Sequence, residues 1–130
     1  MNRKGFTLVE ILVVTVLIAV LTALALPMLV KTLEKAKMDE AVSNLNFIRA
    51  AQERYSLSYN TFSSDIDSLN IEDPNDSSAR YFNYTIVSAD DDDFIARAQR
   101  VPGAPASYGD YLYDISKDGE ITSPNNSPLI

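Results

Sequence analysis

The chain has 130 residues, a net charge of −7 and a 46% hydrophobic fraction, and it contains neither cysteine nor histidine. That length holds one ordinary domain beside a membrane segment, and the missing residues exclude a disulfide framework, a thiolate nucleophile, a Ser/His/Asp triad and a cysteine-based zinc site. From residue 31 onward nine Lys/Arg face seventeen Asp/Glu, and so acidic a body disfavours sequence-independent binding to phosphate backbones.

Residues 6–30 form a run of 25 whose only clearly polar members are Thr7, Glu10, Thr15 and Thr22. As a helix it would be roughly 37 Å long, enough to cross a hydrocarbon core of about 30 Å with some tilt. Arg3 and Lys4 precede it, and the positive-inside tendency then keeps the N-terminus cytoplasmic and sends the rest across. Lys31, Lys35 and Lys37 on the far flank oppose that bias. A secretory signal peptide fits poorly, because its apolar region is short and ends in a small-x-small cleavage site, whereas this run continues into a further helical pattern.

Glu10 sets the run apart from a plain anchor. A carboxylate inside a membrane helix costs roughly 2.5 to 3.5 kcal/mol, and residues 6–30 supply no Lys, Arg or His to offset it. A cut between Gly5 and Phe6 would remove both basic residues and create an α-amine on Phe6, one helical turn from Glu10. Paired within one chain or between neighbours in a bundle, the two charges would form a register device, since either one buried alone is strongly unfavourable.

These residues carry a resemblance. KGFTLVE, with the following ILVVTVLIAVLTALALP, closely resembles the N-terminal signature of type IV pilins and type II secretion pseudopilins: a short basic leader, Gly5 at its end, then Phe6, Thr7, Leu8, Glu10 and Pro27. The resemblance implies a leader of residues 1–5, cleavage after Gly5 by a prepilin peptidase, and methylation of the Phe6 amine. It further implies a single-pass subunit held in the bacterial inner membrane through residues 6–30, with residues 31–130 as an extracytoplasmic head. Such a subunit is then drawn into a homopolymeric filament, on the cell surface or in the periplasm, by an assembly ATPase and a platform membrane protein. Pro27 removes a helical hydrogen bond and clashes with the preceding turn; it reads either as a kink at the membrane exit or, as in the family, as a place where the helix breaks on assembly.

No Gly or Pro interrupts residues 31–57, and Leu33, Ala36, Ala41, Val42, Leu45, Ile48, Ala51 and Tyr55 recur at helical spacing, so an amphipathic helix continues the first. Residues 58–79 are rich in Ser, Asn, Asp and Pro and read as a loop with one helical turn at 64–69. Residues 80–88 and 94–101 read as strands joined by a hairpin at Asp90 to Asp93, and residues 110–116 as a third strand. KDGE turns into a short fourth. The fold class is α+β: a long N-terminal helix, transmembrane then amphipathic, packed against an antiparallel sheet of three or four strands. Most of the seven Tyr and five Phe fall where core packing accounts for them.

One segment invites a metal test. DISKDGEI places Asp114, Ser116 and Asp118 at the first, third and fifth positions of a calcium loop and Gly119 at the sixth. Position twelve is Asn125, which has no carboxylate, and an Asp-Gly hairpin explains Asp118 and Gly119 without an ion. Major pseudopilins resemble this chain in carrying a calcium-holding loop near the C-terminus, so Ca2+ stays open as a ligand. No enzymatic constellation is present. The reading is a structural subunit of a type IV pilus-like filament. The alternatives are a major-type pseudopilin of a type II secretion system, and a minor pilin or tethered binding module.

Overall fold

The computed structural model describes residues 4–105 and 107–130; residues 1–3 of the expected leader lie outside the described residues. One helix, α1 (Leu8–Tyr59), is followed by four strands, β1 (Phe82–Ala89), β2 (Phe94–Arg100), β3 (Leu112–Ile115) and β4 (Ile121–Thr122). The chain divides into two compact units, Met1–Glu34 and Lys35–Ile130.

In the first unit, every described residue from Lys4 to Leu29 is exposed. A helix that is apolar all round has no internal core to face, and α1 is long and apolar enough there to cross a membrane. Helical structure continues through Pro27 without interruption. The ring leaves the Ala23 carbonyl without its usual N–H donor.

In the second unit, the rest of α1 packs on an antiparallel meander of order β1-β2-β3-β4. The buried helix face is Met38, Ala41, Leu45, Ile48 and Ala51; the buried sheet face is Phe82, Tyr84, Phe94, Ala96, Ala98, Tyr113 and Ile115. Alanine at the two central β2 positions lets the helix lie close, while the aromatic residues on β1 and β3 fill the flanks. Leu33 and Ala36, expected on this face, are exposed. In the second unit the buried positions of α1 are 38, 41, 45, 48, 51 and 52, with Tyr55 half-buried after them, and both residues lie away from that stripe. A bulge between Ile86 and Ser88 bends β1 near the acidic hairpin.

Side-chain amides replace missing strand partners. Gln52, fully buried, donates from Nε2 to the Ser63 carbonyl at 2.7 Å and accepts the Ser63 N–H at 2.8 Å. Asn75 does the same for Tyr84, at 2.9 and 2.8 Å, which closes the outer edge of β1 at that residue. Asn44 donates to the Tyr84 hydroxyl at 2.9 Å. Burial raises the pKa of that hydroxyl, with the Asn44 bond opposing the shift and the Glu40 charge adding to it. The C-terminal segment is tied down by a Tyr113–Ser127 hydroxyl pair at 2.7 Å.

Candidate functional site

Thr7 and Glu10 form a closed local structure at the start of α1. The Glu10 N–H donates to Thr7 Oγ1 at 3.2 Å, and Glu10 Oε2 accepts the Thr7 N–H at 3.0 Å. The Thr7 carbonyl accepts the first helical bond, from the Ile11 N–H, at 3.2 Å. This is a capping box, in which two orphan N–H groups are satisfied reciprocally and a carboxylate sits at the positive end of the helix dipole. Glu10, expected to wait for an amine, thus already has a partner in the uncut chain. The cue stood in the sequence as Thr-x-x-Glu ahead of an apolar run.

Immediately upstream, nothing lies within 4 Å of where a side chain on Gly5 would project, and Phe6 is 84% exposed. The fold itself makes no demand for glycine at position 5. Thr15 and Thr22 turn their hydroxyls back to the Ile11 and Ile18 carbonyls, at 2.8 Å each, so neither presents a free donor to an apolar surrounding.

The calcium candidates are placed differently from a loop of ligands. Asp114 lies in β3 opposite Arg97 of β2, and its two oxygens accept from the Arg97 Nε and a terminal guanidinium nitrogen at 2.7 Å each. That hydrogen bond raises the Arg97 pKa, securing its charge. The Ser116 carbonyl accepts the Gly119 N–H at 3.0 Å, and Gly119 has φ +83° beside the Arg49 guanidinium. Asp118 belongs to the same turn. Asn125 accepts the Leu112 N–H at 2.9 Å and donates to the Asp110 carbonyl. The first carboxylate of the expected loop is thus committed to Arg97, and among the described residues no group of three or more acidic side chains is placed to hold a metal. This donor set does not fit a calcium ion.

The acidic hairpin is ordered by its own backbone. Asp90 Oδ1 accepts the N–H groups of Asp92 and Asp93 at 2.8 Å each. These bonds, the one from Asp93 foremost, hold the Asp90 carboxyl below the usual range. Lys117 docks on the same turn, its N–H on the Asp93 carboxylate at 3.1 Å and its ammonium on the Asp92 carbonyl at 2.6 Å.

Residues 1–26 match the family model described as the prokaryotic N-terminal methylation motif. The chain is 40% identical over 63 residues to the type II secretion system core protein G of Pectobacterium carotovorum, covering 48% of this chain and 40% of that protein. To the core protein G of Escherichia coli K12 it is 40% identical over 71 residues, covering 52% and 49%. To the type IV major pilin PilA of Myxococcus xanthus it is 35% identical over 54 residues, covering 42% and 24%. The matches thus span from about a quarter to about half of these relatives' length. The crystal structure of the non-core minor pilin PilV of Neisseria meningitidis superposes with a TM-score of 0.55 at 20% identity, over 75% of this chain and 94% of that one; this likeness bears on the fold. The chain carries the prepilin methylation motif and is homologous to type II secretion core protein G and to type IV pilins.

Proposed function

We propose that this chain is a structural subunit of a type IV pilus-like filament, made from a precursor cut between Gly5 and Phe6 and methylated on the Phe6 amine. The observation that carries the reading is the Thr7–Glu10 box at the head of an exposed, otherwise apolar helix. It holds the one carboxylate of residues 6–30 within a turn of the bond whose cleavage would supply a cation. Oε2 serves the Thr7 N–H, which leaves Oε1 for the new ammonium of the same or a neighbouring chain. In a bundle of such helices the apolar flanks bury one another and the ion pair sets the register. The unconstrained space around Gly5 is what a peptidase recognising the bare backbone would need.

Before assembly the apolar helix would cross the inner membrane once, with Lys4 on the cytoplasmic side and the acidic head outside it. An ATPase and a platform membrane protein would drive extraction, and the orphaned Ala23 carbonyl makes Pro27 the place where α1 would open. A second reading, a major-type pseudopilin, is favoured by the 40% identity to core protein G sequences. The closure of the C-terminal loop by Arg97 and Asn125 supports the pilus reading over a calcium-holding pseudopilin loop.

Electron microscopy of sheared surface fractions, with mass spectrometry of the subunit N-terminus, tests the proposal. Long filaments whose subunits begin at methylated Phe6 are the expected result. Subunits still carrying residues 1–5 in assembled material would overturn it, and short filaments confined to the periplasm would select the pseudopilin.

A further inference from the structure

The hollows of the head differ in charge. One of about 470 Å³ has Glu40, Glu72, Asp73 and Asp76 in its wall, and one of about 280 Å³ has Asp65, Asp67 and Asp73. A third, of about 320 Å³, sits at the end of α1 between Arg54, Tyr55, Ser58, Tyr59, Ser68 and Asn70, and no carboxylate lines it. On a body with this excess of acid, a cationic hollow that excludes carboxylates is unusual enough to need a reason.

We propose that this hollow binds an acidic pyranose, a sugar ring bearing one carboxylate. Arg54 is exposed, and its guanidinium has no ion-pair or hydrogen-bond partner among the described residues. By contrast Arg49 and Arg97 are paired with carboxylates, and Arg80 and Arg100 are hydrogen-bonded to carbonyls. An unengaged guanidinium offers a planar fork that matches a carboxylate. Tyr59, 66% exposed, leans on Tyr55 with ring centroids 4.5 Å apart and ring planes tilted by 33°. Tyr55 packs against the core, so it steadies Tyr59 and leaves the outer side of that ring as a platform ordered before binding. The C–H face of a pyranose packs on such a ring, while Ser58, Ser68 and Asn70 supply hydroxyls and an amide for the sugar hydroxyls. The volume lies at the small end of ligand sites, about 300 to 1,000 Å³, which suits one or two sugar rings.

Charge decides against a nucleic acid strand. A single arginine can neutralise one carboxylate, but successive phosphates would meet Asp65 and Asp67, which flank the hollow in sequence. The proposal is independent of how the N-terminal helix assembles.

The test is titration of the full chain in detergent with methyl glucuronide, read by saturation-transfer NMR, with methyl glucoside and a dT oligonucleotide as comparators. Saturable glucuronide binding is expected, with the glucoside about tenfold weaker for loss of the charged contact. Arg54→Ala and Tyr59→Ala should each weaken glucuronide by about tenfold and Tyr59→Phe should not, with melting unchanged for Arg54→Ala and Tyr59→Phe and slightly lowered for Tyr59→Ala, which loses its contact with Tyr55. No saturable binding in the millimolar range, glucoside binding as tight as glucuronide, or binding indifferent to both alanine variants would overturn it. Tighter binding of the oligonucleotide through Arg54 would replace the sugar with a nucleic acid and overturn it as well.

Discussion

Glu10 and Thr7 cap each other, the backbone N–H of each bonded to the side chain of the other at 3.2 and 3.0 Å. A carboxylate in an apolar helix therefore has a local role before any second chain arrives. It accepts the Thr7 N–H, and with Thr7 Oγ1 it satisfies two of the four N–H groups that the first turn leaves without helical partners. The same group is then available at the helix N-terminus, where a new ammonium would appear on cleavage.

This double role makes Glu10→Gln more informative than Glu10→Val. Glutamine keeps an oxygen for the Thr7 N–H but has no charge, while valine loses both. Both variants should be cut after Gly5 and inserted normally, as read by mass spectrometry of membrane fractions. Neither should form filaments visible by electron microscopy, because the pair proposed with the Phe6 amine would need the negative charge. Normal filaments from Glu10→Gln would mean that the cap alone is what assembly requires.

The sequence foretold the elements better than the links between them. All four strands, the acidic hairpin and the single long helix follow from periodicity and turn residues, which act locally. The buried helix face was harder to see, because Gln52 belongs to it. The stripe runs 38, 41, 45, 48 and 52, and counting only apolar residues drops its polar member and admits Leu33 and Ala36. Asp114 misled for a related reason. Its spacing from Ser116 and Asp118 is visible in one stretch of chain, whereas its partner Arg97 lies seventeen residues earlier and meets it only through strand register. The capping box, by contrast, was local and legible in Thr7 and Glu10 themselves.

Gln52 carries the link between α1 and the loop that follows it. Replacing it with leucine keeps the volume and leaves the Ser63 N–H and carbonyl without partners in a buried place. At about 1 to 3 kcal/mol for each unsatisfied group, the head should lose about 2 to 4 kcal/mol of stability, since some water will reach Ser63. Thermal unfolding followed by circular dichroism in detergent measures this. An unchanged midpoint would show that the loop finds other partners.

Arg97 and Asp114 form a bidentate pair in which the carboxylate is much more enclosed than the guanidinium, at 11% against 29% side-chain exposure. Arg97→Ala should thus cost more than Asp114→Ala, because it strands a buried charge while the converse leaves an arginine able to reach water. About 2 to 3 kcal/mol is expected for the first and about 1 to 2 for the second, discounted from fully buried pairs for the solvent that reaches Arg97. A double-mutant cycle by chemical denaturation gives the coupling directly. Added calcium should leave all three values unmoved, and a calcium-dependent rise in wild-type stability would reopen the metal loop.

Asp90 gives the head an acid limb. Its carboxylate is held below the ordinary range by the N–H groups of Asp93 and Asp92, so the folded state prefers the ionised form more than the unfolded chain does. The sign follows by linkage: the contribution is fully present above the unfolded carboxylate pKa, about 3.9, and is lost as pH falls from there through the lower folded value. Asp90→Asn keeps an oxygen for both N–H groups but cannot titrate. Melting temperatures measured from pH 6 down to pH 2 should therefore fall less steeply for the variant than for the parent chain. The two curves should draw together toward the acid end, as the parent's Asp90 takes up its proton. Parallel curves across the whole range would show that the turn draws nothing from the Asp90 charge.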